Sequence, residues 1–113
     1  MKQWSNESID YVSGCCMLIK KRVFNVIGFF DERYFLYYED IDFCLRAKLA
    51  GFSIEVCDTS GIEHILEEGK KKSYEKRLWH LSSALAFINR WIPWYRRPLG
   101  YAYWFTLLIR TVL

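Results

Sequence analysis

An α/β fold is what this chain predicts, and three stretches carry the prediction. Residues 10–20 (DYVSGCCMLIK) are a β-rich apolar run with the length and character of a buried strand. Within it, Gly14 marks a bulge or a close backbone approach. Residues 39–50 (EDIDFCLRAKLA) space Ile41, Cys44, Leu45 and Leu49 as the apolar stripe of a helix that stops at Gly51. Residues 52–57 then alternate well enough for a second strand.

The remaining elements fall between and after these. Residues 21–27 predict a short helix with Val23, Phe24 and Ile27 on one side and Gly28 as its C-terminal cap. An aromatic loop follows, rich in phenylalanine and tyrosine, and leads directly into the helix at Glu39. After the second strand comes an irregular connection around His64. Composition changes at Glu67, where EEGKKK reads as a solvated hinge. From Ser73 onward Tyr74, Leu78, Leu81, Leu85, Ile88 and Ile92 recur at helical spacing, and Pro93 ends that helix. The division expected is residues 1–66 as one unit and 67–113 as a helical extension.

That extension has a character of its own. WIPWYRRP mixes tryptophan, tyrosine and arginine as membrane–water boundaries do. Residues 99–113 are nearly all apolar, with Arg110 as the one charged residue. As a helix they reach about 22 Å, against roughly 30 Å for a hydrocarbon core. They are expected to lie in an interface or to dock on another domain, or to begin a longer hydrophobic segment.

Composition narrows the function classes. With 113 residues the chain is one domain or part of one. A hydrophobic fraction of 52% excludes disorder, and an aromatic fraction of 19% asks for a membrane, ligand or partner. A net charge of +3, with the basic residues late and no glycine–aromatic interleaving, argues against nucleic acid. Cys15, Cys16, Cys44 and Cys57 form no CxxC pair, so reduced, buried thiols in a cytosolic setting are expected. The polar start MKQWSNES predicts no signal peptide.

The chemistry-bearing residues concentrate at residues 28–51, GFFDERYFLYYEDIDFCLRAKLAG. Glu39, Asp40 and Asp42 crowd into a helical first turn, where the helix dipole favours negative charge. Tyr34, Phe35, Tyr37 and Tyr38 flank them, a setting suited to a polar, ring-shaped ligand. Spacing alone favours the plainer reading of helix-start acids with a routine Asp42–Arg46 pair. Asp40 and Asp42 spell DxD, but on a helix residues two apart project to nearly opposite sides and could hardly share one ion. Asp40 alone is therefore the candidate reactive carboxylate. His64, between apolar neighbours, reads as a structural residue first and as a neutral imidazole metal ligand second. No glycine-rich phosphate loop follows a strand.

Taken in order, VSGCCMLIKKRVFNVIGFFDERYFLYYEDIDFCLRAKLAGFSIEV with the histidine of IEHI resembles the C-terminal half of family 2 glycosyltransferases. It is closest to the rhamnosyltransferase-like enzymes of bacterial surface-polysaccharide synthesis. Residues 12–64 carry the resemblance. It implies the acceptor-side half of a GT-A fold, a short mixed sheet with flanking helices. It also implies an inverting transfer from a nucleotide-diphosphate sugar, rhamnose being the sugar expected, to a glycan or lipid-linked acceptor, with a divalent cation, Mg or Mn. By position, Asp40 would be the general base with Glu39 beside it. Asp31, Glu32 and Tyr38 would line the acceptor site, Asp42 and Arg46 would buttress the helix, and His64 would be the metal ligand.

The resemblance stops short of the family's nucleotide-binding half, because about a dozen residues before Ser13 cannot supply a βαβ unit of roughly 30. A truncated gene, a late start or a split enzyme completed by a separate nucleotide-binding polypeptide are the expectations that follow, with a chain inactive alone. A cytoplasmic protein peripheral to the inner membrane is the expected setting. The rival expectation is a non-catalytic membrane-associated module.

Overall fold

The structure, a computed structural model, describes residues 9–57, 63–64 and 74–112, with side chains through residue 106. Four helices are present among them: α1 (Lys21–Ile27), α2 (Glu39–Leu49), α3 (Tyr74–Trp91) and α4 (Arg97–Val112), with a 3₁₀ turn at Trp94–Arg96 before the last. The hinge expected at EEGKKK, and with it the boundary at residue 67, lies outside the described residues.

The local signals at the helix ends operate as their chemistry dictates. Gly28 and Gly51 sit at φ of 76° and 84°, a region that only glycine enters without a steric cost. The Gly28 N–H closes α1 on the Phe24 carbonyl at 2.9 Å, and the Gly51 N–H closes α2 on the Lys48 carbonyl at 2.9 Å. Pro93 follows Ile92 and stops α3, since it has no N–H to continue the ladder.

Among the described residues the two expected strands form no ladder. Residues 10–20 run without strand structure and turn at Gly14–Cys16, and residues 52–56 are likewise without strand structure, a lone bridge at Cys57 being the one sheet-type residue among those described. A strand is defined by the ladder it makes with a neighbour, and among the described residues no second strand lies alongside either run. The turn also places Cys15 and Cys16 at the surface, correcting the expectation that they are buried; Cys44 is buried, and all four thiols are free.

The core is small and lies where α1 crosses α2. Val23, Phe43 and Ala47 are buried together, and Met17, Ile19, Phe24, Ile27 and Phe52 pack around them. The α1 face is the one expected. The α2 stripe is not: Asp42, Phe43, Cys44 and Ala47 are buried, and Leu49 is largely exposed. A carboxylate displaces the apolar pattern because its partners converge on it from three elements.

Helix α3 packs across the loop before α2. Its buried residues are the small Ser83 and Ala84, with Ile88, and not the bulky Tyr74, Leu78 and Leu85, which stay exposed. Small side chains let the helix approach the loop closely enough for Ser83 Oγ to accept the Leu36 N–H at 3.4 Å. Helix α4 folds back on α3, and no described helix is long and apolar enough to cross a membrane.

Candidate functional site

The site begins with strained backbone. Tyr37 and Tyr38 both take the left-handed conformation, at φ of 65° and 70°, immediately before Glu39. For non-glycine residues this costs on the order of 1–3 kcal/mol each and persists only where packing over-determines it. Here the packing is aromatic. The Tyr38 ring lies 5.7 Å from His80, 5.2 Å from Phe87 and 5.9 Å from Trp104, and Tyr37 meets His80 edge-on at 5.0 Å. Tyr38 is the N-cap of α2, so this cluster fixes where the helix begins and which way its first carboxylates face.

Burial lowers the His80 pKa below its ordinary value and pushes Tyr38 up to about 12. A histidine held neutral contributes stability above an unfolded pKa of about 6.5 that is lost as the pH falls. Urea unfolding should therefore show a lower midpoint at about pH 5.5 than at about pH 7.5. The His80→Phe variant should lose most of that difference.

The carboxylates separate as helical geometry requires. Asp40 faces the turn of residues 14–16: its Oδ2 accepts the Gly14 N–H at 2.9 Å, and its Oδ1 accepts the Ile41 N–H at 2.8 Å. Gly14 is the close backbone approach expected of it, since an added Cβ would lie 3.6 Å from Asp40 Cβ and 3.9 Å from Glu39 Oε1. Glu39 Oε2 is shielded and without a hydrogen-bond partner among the described residues. A buried acceptor in that condition is costly, and a hydroxyl donor placed beside it would relieve the cost.

Asp42 points the other way and is fully buried. Its Oδ2 accepts from Arg46 Nε at 2.8 Å, and its Oδ1 accepts from Trp91 Nε1 at 2.8 Å and from the Tyr34 hydroxyl at 3.3 Å. Arg90 Nε lies 3.3 Å from the same oxygen. Desolvation, with the Asp42 charge beside it, pushes the Tyr34 pKa up to about 12. Arg46 also donates to the Ile27 carbonyl at 2.7 Å and the Phe29 carbonyl at 2.9 Å, which ties the start of the loop to α2. Asp31 is held by a forked pair with Arg33 and by Arg90 at 2.6 Å, and the Arg33 hydrogen bond holds its carboxyl far below the usual carboxylate range.

The residues expected at the site are thus divided. Glu39 and Asp40 stand together beside Gly14; Asp42 and Arg46 form the interior brace; Asp31 is engaged by two arginines; Glu32 and His64 are exposed. No group of three or more His, Cys, Asp or Glu that could hold a metal occurs among the described residues. Arg90 and His80 have no role legible in the sequence, and Trp91, expected in the membrane-boundary run WIPWYRRP, instead turns its indole N–H onto Asp42. Nothing local marks them, because Trp91 meets its partner across 49 residues of chain.

The chain is related to family 2 type glycosyltransferases: its curated homologues are rhamnosyltransferases and hexosyltransferases. One is N-acetylglucosaminyl-diphospho-decaprenol L-rhamnosyltransferase of Mycobacterium tuberculosis, 31% identical over 111 residues, or 96% of this chain and 36% of the relative. Rhamnosyltransferase WbbL of Escherichia coli K12 is 32% identical over 77% of this chain and 33% of its own length. Low-salt glycan biosynthesis hexosyltransferase Agl10 of Haloferax volcanii is 36% identical over 56% of this chain and 20% of its own. The chain spans about a third of the length of the rhamnosyltransferases it matches. No family model and no solved structure matches it.

Proposed function

We propose that these residues form the acceptor-and-base side of an inverting glycosyltransferase of GT-A type. It would move a sugar, rhamnose in this reading, from a nucleotide-diphosphate donor to a glycan or lipid-linked acceptor. The observation that carries the reading is Asp40, anchored at 2.9 Å to the Gly14 N–H beside the unpartnered Glu39 oxygen. Each Asp40 oxygen accepts one backbone N–H and keeps a lone pair for a further donor.

The chemistry follows from that placement. The acceptor hydroxyl gives its proton to Asp40 as its oxygen attacks the anomeric carbon. The bond from that carbon to the diphosphate oxygen breaks with its electron pair, and the diphosphate leaves. One displacement at one face inverts the centre. Glu39 would take a second hydroxyl of the acceptor, while Glu32 and Tyr38 would border it from the loop. Asp31, Asp42 and Arg46 would hold the loop and helix in register.

The sheet of the α/β fold and the donor pocket would come from residues other than those described, whether in the same polypeptide or in a second one. Four free thiols are in keeping with a cytoplasmic setting. The direct test is an assay of the polypeptide that carries these residues, with a nucleoside-diphosphate rhamnose and an N-acetylglucosaminyl-diphospho-polyprenol acceptor. Transfer abolished by Asp40→Asn supports the reading, and undiminished transfer by that variant refutes it.

A further inference from the structure

Helix α4 and the 3₁₀ turn before it have one covered side and one bare side. On the covered side Gly100 abuts α3, where an added Cβ would lie 3.5 Å from the Cδ1 atoms of Ile88 and Ile92. Trp104 meets His80 edge-on at 4.8 Å, and the Tyr101 hydroxyl donates to Asn89 Oδ1 at 2.8 Å. On the bare side Trp94, Tyr95, Leu99 and Tyr103 are 61–76% exposed. Four large aromatic and aliphatic side chains so close in sequence, left to water together, call for an occupant.

The charge of this region names the kind. Residues 91–113 contain Arg96, Arg97 and Arg110 and no acidic residue. The arginines beside the bare face are not equivalent. Arg97 donates to the Ile92 carbonyl at 3.0 Å and the Asn89 carbonyl at 2.8 Å, closing the C-terminal end of α3. Arg96 is exposed, with its guanidinium carbon 5.8 Å from the centre of the Tyr95 ring.

We propose that this face docks on a bilayer surface bearing anionic headgroups. Trp94, Tyr95, Leu99 and Tyr103 enter the headgroup–acyl boundary, and Arg96 meets lipid phosphates. Tryptophan and tyrosine are the side chains suited to that depth, with an apolar body and a polar edge. The 16 residues of α4 make a helix about 24 Å long, and we place it along the surface. A second copy seated on the same face would bring the same arginines and no acid from residues 91–113 to meet them.

The proposal is independent of the catalytic assignment and is tested without substrate. The purified protein is floated with phosphatidylcholine vesicles and with vesicles containing about one-third phosphatidylglycerol. It should float with the anionic vesicles and less so as salt rises. The Arg96→Glu variant should weaken partitioning by at least about fivefold, since it removes one basic contact at such a surface and adds a repelled charge. Trp94→Ala should weaken it about tenfold. Arg97→Gln should lower the thermal midpoint while vesicle binding of the folded protein persists. The idea fails if the protein does not float with anionic vesicles, or if neither Arg96→Glu nor Trp94→Ala changes flotation. Self-association in light scattering that Trp94→Ala abolishes, without flotation, also overturns it.

Discussion

Replacing Asp42 by alanine should destabilise the protein by about 3–5 kcal/mol, the usual cost of removing one partner from a buried ion pair. The size follows from what would be stranded. Arg46, Arg90, the Trp91 indole N–H and the Tyr34 hydroxyl all converge on this carboxylate, which has no exposed surface. Removing it leaves one guanidinium almost out of water, since the Arg46 side chain is only 13% exposed. It also frees α3 from α2. Trp91→Phe deletes a single hydrogen bond to a charged group and should cost about 1.5–3 kcal/mol. In urea unfolding, the two losses should add to more than the double variant shows, because they share one bond. A loss below about 1 kcal/mol for Asp42→Ala would mean that the carboxylate is solvated in the folded protein.

Asp40→Asn should act differently, costing about 1 kcal/mol of stability for the one backbone N–H it can no longer accept and lowering transfer by about 10²–10⁴-fold. An asparagine keeps the size and can still accept a backbone N–H from Gly14 or Ile41 through its one carbonyl oxygen. What it loses is the ability to take a proton from the acceptor hydroxyl. A role confined to the transition state lowers kcat with little change in KM. Glu39→Gln should instead raise the acceptor KM, since its proposed part is to receive a hydroxyl in the bound state. The contrast with Asp42 is the control: activity lost through Asp42→Ala should follow the unfolded fraction and recover on stabilising the fold, whereas activity lost through Asp40→Asn should not.

Much of this site was legible in order along the chain. The helix boundaries at α1 and α2 follow from glycine caps and the acidic first turn, which are local signals that need no partner. The opposite facing of Asp40 and Asp42 follows from 3.6 residues per turn. Gly14 as a close approach was visible in the sequence, but not which group it approaches. The strands were read from apolar runs, and a run becomes a strand only where another strand pairs with it. The α2 stripe was misread because hydrophobic spacing cannot register a buried charge, and Asp42 is tolerated inside only because distant donors meet it. The α3 stripe holds at Ile88 and departs at Tyr74, Leu78 and Leu85 for a related reason, since close approach selected Ser83 and Ala84 over larger neighbours.

By itself, then, the chain determined its helices, their ends, the pairing of Asp42 with Arg46, and its kinship with glycosyltransferases. Only the tertiary structure decided that Trp91 and Arg90 close on Asp42, that His80 braces two left-handed tyrosines, and that Arg96 lies exposed over the Tyr95 ring while Arg97 caps a helix. The physical reason is range. Caps and periodicity act within a turn or two of chain, whereas a buried carboxylate is satisfied by whichever donors the fold brings to it.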